Sequence, residues 1–339
     1  QNSDSIYLET NNFTLNANGG SNGGFSIHRG LNISSCDDCF INNNNLDNAR
    51  SLEYGLRYTG QRSKIESNTI GVNENGIRIN GGSGNVVEKN SISSSTSKGI
   101  EVSTSNNIIR MNRLLNMTST GVELSSSDNE VSNNYIHLEG SLTNVGIKLT
   151  SGSSNSSVLY NSVNNTGTPT NPIGSVGIQV DGTPSNLTVK NNIFACTGGG
   201  MPVSIPSQQG VHQWDYNNYF SPNGYIGSYN NVEYDSISNW RLALQSSSPG
   251  ADDMSHFAPP YFTSNDAPDI NQGLNKGNAI SVATLGGTIG IMFLPIIVVY
   301  LKNFFSFKQI WLLSSVSLIF FLPILFITLA DQKIRQKRF

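Results

Sequence analysis

Apolar and polar positions recur along this chain in one phrase. It reads KIESNTI at 64–70, VVEKNSI at 86–92, IIRMNRL at 108–114 and EVSNNYI at 130–136, each 22 residues after the last. Aligned on its Asn, the phrase covers Asn44, Asn68, Asn90, Asn112, Asn134, Asn161 and Asn192, the later copies at longer intervals. Three residues before each Asn stands Ile41, Ile65, Val87, Ile109, Val131, Val158 or Val189. Two residues after stands Leu46, Ile70, Ile92, Leu114, Ile136, Val163 or Phe194. A second phrase lies between the copies: GLRY at 55, GIRI at 76, GIEV at 99, GVEL at 121, GIKL at 146 and GIQV at 177. Its strict apolar–polar–apolar alternation predicts a short strand with one buried face. Each unit therefore holds two or three very short strands joined by Gly, Asn and Ser turns.

A fixed period in the range of 20 to 50 residues signals a solenoid. These strands are too short for a sandwich, and no helical pattern separates them. The economical solution is a parallel β-helix with one coil per unit. Coils stacked at about 4.8 Å give a rod of roughly 40 Å for eight or so of them. Residues 164–175 (NNTGTPTNPIGS) are then a corner insertion that leaves the stacking intact. The repeated Asn is expected to occupy a left-handed corner and to hydrogen-bond up the stack. The Gly of the second phrase is expected to serve a second corner.

Within that pattern the stretch 99–136 resembles the right-handed parallel β-helix repeats of the pectin-lyase-like superfamily, and most of all its carbohydrate-binding and sugar-hydrolase group. WDYNNYFSPNG at 214, SISNWRLAL at 236 and DDMSHFAPPYF at 252 are similar to the closing coils of many secreted members, and INQGLNKGNAI at 270 looks like a degraded last coil. The resemblance covers roughly residues 10–280. It implies an all-β fold, a right-handed parallel β-helix over 1–280, and a carbohydrate-related role. It carries no particular activity, because the fold hosts many.

Relatives that cleave polysaccharides place carboxylates, cations or calcium on the outside of one sheet. Here the exposed middle residues of the second phrase form a row: Arg57, Arg78, Glu101, Glu123, Lys148 and Gln179. Glu101 and Glu123 fall on adjacent coils, about 5 Å apart, the separation of a retaining glycosidase pair. They are the candidate catalytic residues, and calcium is the one cofactor their oxygens suggest. Arg78 and Lys148 flank them and favour a solvated charge row instead. A second row comprises Glu66, Glu88 and Arg110. The Gly-His-Gly, paired-Asp and Arg-x-Lys motifs of polygalacturonase-type relatives are missing, as are pectate-lyase-like and epimerase-like signatures. Arg78, Lys148, Trp214 and Tyr216 are the candidate substrate-binding residues. The late aromatics, Trp214 and Tyr216 among them, serve either to stack on sugar rings or to cap the rod.

Composition narrows the picture further. Charged residues are only 13% of the 339, with a net charge of −3, so there is no basic footprint for nucleic acid. His28, His137, His212 and His256 are scattered, and Cys36-Asp37-Asp38-Cys39 is a lone CxxC, so no metal site is predicted. A local disulfide and two plain thiols both fit the cysteine pair. Six Asn-x-Ser/Thr sequons are no more than an Asn- and Ser-rich chain supplies by chance.

The composition breaks near residue 280. Segments 281–301 and 310–330 lack charged residues and are each long enough to span a bilayer, joined by a loop at 302–309 and followed by a basic tail at 331–339. Lys333, Arg335, Lys337 and Arg338 would place that tail in the cytoplasm. That conflicts with a two-span hairpin carrying the rod outside. The conflict resolves if the first segment does not span, if the loop prevails, or if further spans precede Gln1. No signal-peptide pattern is visible, so an export signal was removed or lies ahead of Gln1. The expectation is a membrane-anchored rod at the cell surface or in the periplasm that binds polysaccharide or glycan, or serves as a structural element. The alternatives are a polysaccharide lyase or glycoside hydrolase, and a periplasmic accessory protein for metal or cofactor delivery.

Overall fold

The computed structural model describes residues 7–11, 29–46, 52–71, 73–140, 143–207 and 213–260. These residues wind as a right-handed parallel β-solenoid. Each coil contributes one strand to each of three sheets, which hold nine, nine and ten strands among the described residues. One coil runs Ile108–Arg110 in the first sheet, Arg113–Met117 in the second and Thr120–Leu124 in the third. Near the end comes a helix, Ile237–Gln245, capped at its start by Ser236, whose side chain accepts from the Asn239 N–H, and a short strand, His256–Phe257, follows it in the second sheet.

The aliphatic period becomes an interior column. Ile41, Ile65, Val87, Ile109, Val131, Val158 and Val189 are in register on successive coils of the first sheet, and none exceeds 0% exposure. Ile70, Ile92, Leu114, Ile136, Val163 and Phe194 do the same in the second sheet. Each such side chain, fully buried, contributes about 1.5–3 kcal/mol. The insertion expected at 164–175 is narrower: residues 164, 165 and 175 stay in strands Ser162–Asn165 and Ser175–Val180, whose register is kept, and only 166–174 leave the coil.

The repeated Asn residues are all buried, and they hold the first corner by hydrogen bonds. Asn90 shows the pattern. Its Oδ1 accepts from the backbone N–H and the Nδ2 of Asn68, both at 3.0 Å. Its Nδ2 donates to Ile65 O at 2.9 Å and to Asn112 Oδ1 at 3.0 Å. The same bonds repeat from Asn11 to Asn217, where Ser255 Oγ takes over as acceptor for the Asn217 N–H at 2.8 Å. The left-handed residue expected at the Asn is instead the one before it. Asn43, Ser67, Lys89, Met111, Asn133, Tyr160, Asn191 and Tyr216 all have φ between 53° and 58°. The turn at that residue aims the next side chain, the Asn, inward, where a short amide reaches both neighbouring coils.

The second-phrase glycines also differ from expectation: they are not at a corner. Gly76, Gly99, Gly121, Gly146 and Gly177 lie within strands of the third sheet. A Cβ on Gly99 would stand 2.5 Å from Leu114 Cδ2 and 2.6 Å from Gly121 O, and the other four are as tight. They are glycine for lack of space where the third sheet meets the column of the second.

A further polar column fills the corner between the third and first sheets. Ser63, Asn85, Asn107, Asn129 and Ser156 are linked from each backbone N–H to the next side-chain oxygen at 2.8–3.2 Å. Its preceding residues Arg62, Asn106, Asp128 and Asn155 are again left-handed. Cys39 occupies the equivalent place one coil earlier and forms a disulfide with Cys36.

No helix among the described residues is long and apolar enough to cross a membrane. The segments 281–301 and 310–330, the basic tail and the phrase at 270–280 lie outside the described residues.

Candidate functional site

The outward face of the third sheet carries the predicted charge row in the predicted register. Arg57, Arg78, Glu101, Glu123, Lys148 and Gln179 pair in that order on successive coils. Local structure adds a residue that the alternation rule hides. Gly99 and Ile100 both turn inward, so Lys98 and Glu101, three apart, both face out. Lys98 Nζ lies 2.6 Å from Glu101 Oε1 and 2.7 Å from Glu123 Oε1. Burial acts to lower the Lys98 pKa, but the hydrogen bonds to Glu101 and Glu123 outweigh it and hold the ammonium above its ordinary range.

The flanking cations divide unequally. Arg78 Nε approaches Glu101 Oε2 at 2.9 Å as an ion pair, while its guanidinium stacks on the Tyr54 ring at 5.2 Å and donates to the Tyr54 hydroxyl. Lys148, beside Glu123 in register, instead pairs with Asp181 at 3.2 Å. Three of the four carboxylate oxygens of Glu101 and Glu123 are thus engaged, and Glu123 Oε2 has no partner among the described residues. A retaining mechanism needs one carboxyl as proton donor and the other as free nucleophile. Here one lysine bridges an oxygen of each carboxylate, so neither Oε1 is free.

The second row is more tightly paired still. Lys64 reaches Glu66 at 2.7 Å and Glu88 at 2.8 Å, Lys89 reaches Glu66 at 2.7 Å, and Arg110 reaches Glu88 at 2.6 Å. Hydrogen bonds from Lys64 and Lys89 hold the Glu66 carboxyl below its usual range. Burial works to raise Glu88, and the bonds from Lys64 and Arg110 reverse that.

Trp214, expected either to contact sugar or to cap the rod, is the last member of the first-sheet interior column, paired with Val189 and 1% exposed. With no ring face open, it caps the rod. Its Nε1 donates to Tyr219 Oη at 2.8 Å, and Tyr219 donates to Asp252. Trp240 and Ser255 also donate to Asp252, which is wholly buried and pushed up to about 6, chiefly by desolvation. Within the closing phrase DDMS, Asp252 is therefore a buried acceptor for the cap. Tyr216, two residues on from Trp214, is half exposed at a corner. The spacing Trp214-x-x-Asn217-x-Tyr219 is the repeat phrase with aromatics in place of aliphatics, which is the signal that extends the repeat by one coil.

His137 is buried, with Nδ1 3.1 Å from Asn116 Oδ1 and Nε2 3.3 Å from Thr166 Oγ1. His28 and His212 lie outside the described residues. Among the described residues no group of three or more His, Cys, Asp or Glu is placed to hold a metal ion.

A family described as "Right handed beta helix region" matches this chain over residues 2–137 and 116–231. No curated protein and no solved structure matches it.

Proposed function

This chain belongs to the right-handed β-helix family, and from that premise we propose that it is a non-catalytic rod whose lateral surface binds polysaccharide. The observation that carries the non-catalytic part is Lys98 shared between Glu101 and Glu123. Polysaccharide binding is supported by the surface itself. It presents guanidinium, ammonium and carboxylate groups at one repeat per coil, with Arg78 and Lys148 partly exposed and Tyr216 exposed at a corner. Sugar hydroxyls both donate and accept, so such a mixed array suits them better than a surface of one charge sign. Binding needs no cofactor on this reading.

The buried Cys36–Cys39 disulfide supports a location outside the cytoplasm, because thiols there are kept reduced. Segments 281–301 and 310–330 would tether the rod to a membrane.

The test is affinity electrophoresis of the full chain through gels containing acidic or neutral polysaccharides, beside an assay for new reducing ends and unsaturated uronates. Retardation without products is expected, unchanged by EDTA. The adjacent carboxylates favour one second reading, a lyase or hydrolase. Products that disappear with Glu101→Gln would put that reading in place of ours. Neither binding nor products would leave a structural rod.

A further inference from the structure

We propose that the corner between the first and second sheets is an aromatic platform for an extended β-1,4-linked polysaccharide, contacted by Tyr160 and Tyr216 with Asn191 between them. This rests on the polysaccharide-binding reading and names the ligand class and its place.

Tyr160, Asn191 and Tyr216 occupy the same corner position on three successive coils. The residues before them pair as Leu159, Lys190 and Asp215, and those two places after as Ser162, Ile193 and Asn218. Their φ values are 57°, 58° and 57°, so the three side chains leave the backbone in the same direction. Two coil steps of about 4.8 Å separate the tyrosines by about 10 Å. Tyr160 is 52% exposed and Tyr216 51%, so neither ring is held by the core. A left-handed residue other than Gly or Asn costs about 1–2 kcal/mol. This corner carries Asn at 43, 133 and 191 and Ser67, Lys89 and Met111 on other coils, and only 160 and 216 present aromatic rings there, which gain little burial in exchange.

The spacing selects the ligand. In a β-1,4-linked hexopyranose chain each ring is turned over relative to the last, so every second ring shows the same face, at a repeat close to two coils of this rod. Two tyrosine faces can then stack on alternate rings through their C–H faces. The Asn191 amide, one coil from each, meets the hydroxyl edge of the ring between. An α-linked chain curls away from such a line.

The experiment uses the full chain in affinity gels containing hydroxyethyl cellulose or, as the α-linked control, dextran. The variants are Tyr160→Asn with Tyr216→Asn, which suits the left-handed backbone and removes both rings, and Tyr160→Trp with Tyr216→Trp, which keeps them. The expected result is retardation by hydroxyethyl cellulose, weakened roughly tenfold by the Asn pair and kept by the Trp pair. Undiminished retardation of the Asn pair overturns the platform and spares polysaccharide binding. So does wild-type retardation confined to dextran or to acidic polymers. If no polysaccharide retards the wild type, both readings fall.

Discussion

Lys98 and Glu123 lie on adjacent coils of the third sheet, and the lysine Nζ is 2.7 Å from Glu123 Oε1 while it also holds Glu101 at 2.6 Å. Removing the cation leaves two carboxylates directly opposite each other. Lys98→Met should cost about 1 kcal/mol at neutral pH. The Lys98 pKa is raised by folding, so its contribution is complete below the ordinary lysine value and fades as pH rises through the folded one. Urea midpoints at pH 7 and pH 11 should therefore show the variant gap shrinking. A gap that stays constant between the two pH values would show that Lys98 acts by packing alone.

Asn112 tests the corner amides. Asn112→Ala leaves the N–H and Nδ2 of Asn90 without their acceptor and Val87 O without its donor, all in the interior. A loss of about 3 kcal/mol is expected, read from urea unfolding. Met111→Asn, one residue earlier, should move the midpoint the other way, by about 0.5–1 kcal/mol, because it relieves a left-handed methionine with φ of 56°.

How far the chain announces itself is clear from these neighbours. Ile109 and Leu114 reveal the solenoid, because a buried column must repeat at the coil period. Asn112 reveals that a corner exists, yet its inward turn does not follow from residue type, since the strained position before it accepts Met, Lys, Tyr or Asn alike. The polar column of Asn85, Asn107 and Asn129 has the same spacing and sits two residues before the aliphatic one, where it reads as a turn. Lys98 escapes because strand alternation places it out of phase with Glu101, and only the double inward step of Gly99 and Ile100 unites them. Trp214 invites a functional reading by its chemistry. Its place is set by alignment with Val189, which composition does not convey.

Gly99→Ala should destabilise by roughly 1–3 kcal/mol, since a methyl at 2.5 Å from Leu114 Cδ2 and 2.6 Å from Gly121 O overpacks the core. Adding Leu114→Val should recover part of that loss and no more, because the carbonyl of the next coil stays where it is. Full recovery in a double-mutant cycle by thermal unfolding would mean that the backbone contact is harmless.

Asp252 and the pair Glu66 and Glu88 oppose each other across the acid range. The Asp252 carboxyl rises from 3.8 to about 6 on folding, so the native state holds its proton more tightly and stability falls as pH climbs through that window. Glu66 and Glu88 are lowered, so their contribution is present above the ordinary glutamate value and drains away as pH drops through their folded values. Stability should peak between the two limbs, in mild acid. Asp252→Asn should flatten the upper limb alone in pH-dependent urea titrations.

The corner amides all face one way: each takes hydrogens on its oxygen from the coil before and passes its own N–H and one side-chain hydrogen to the oxygen of the next coil, from Asn11 towards Ser255, while in Asn90, Asn112 and Asn134 a second side-chain hydrogen goes back to a carbonyl. Such a file of aligned dipoles has a head and a tail. An added circuit can join only in the same sense, so rods could lengthen tip to base but never mirror-wise. Asp252, anionic and fed by the Ser255 hydroxyl, is the stopper that ends the queue.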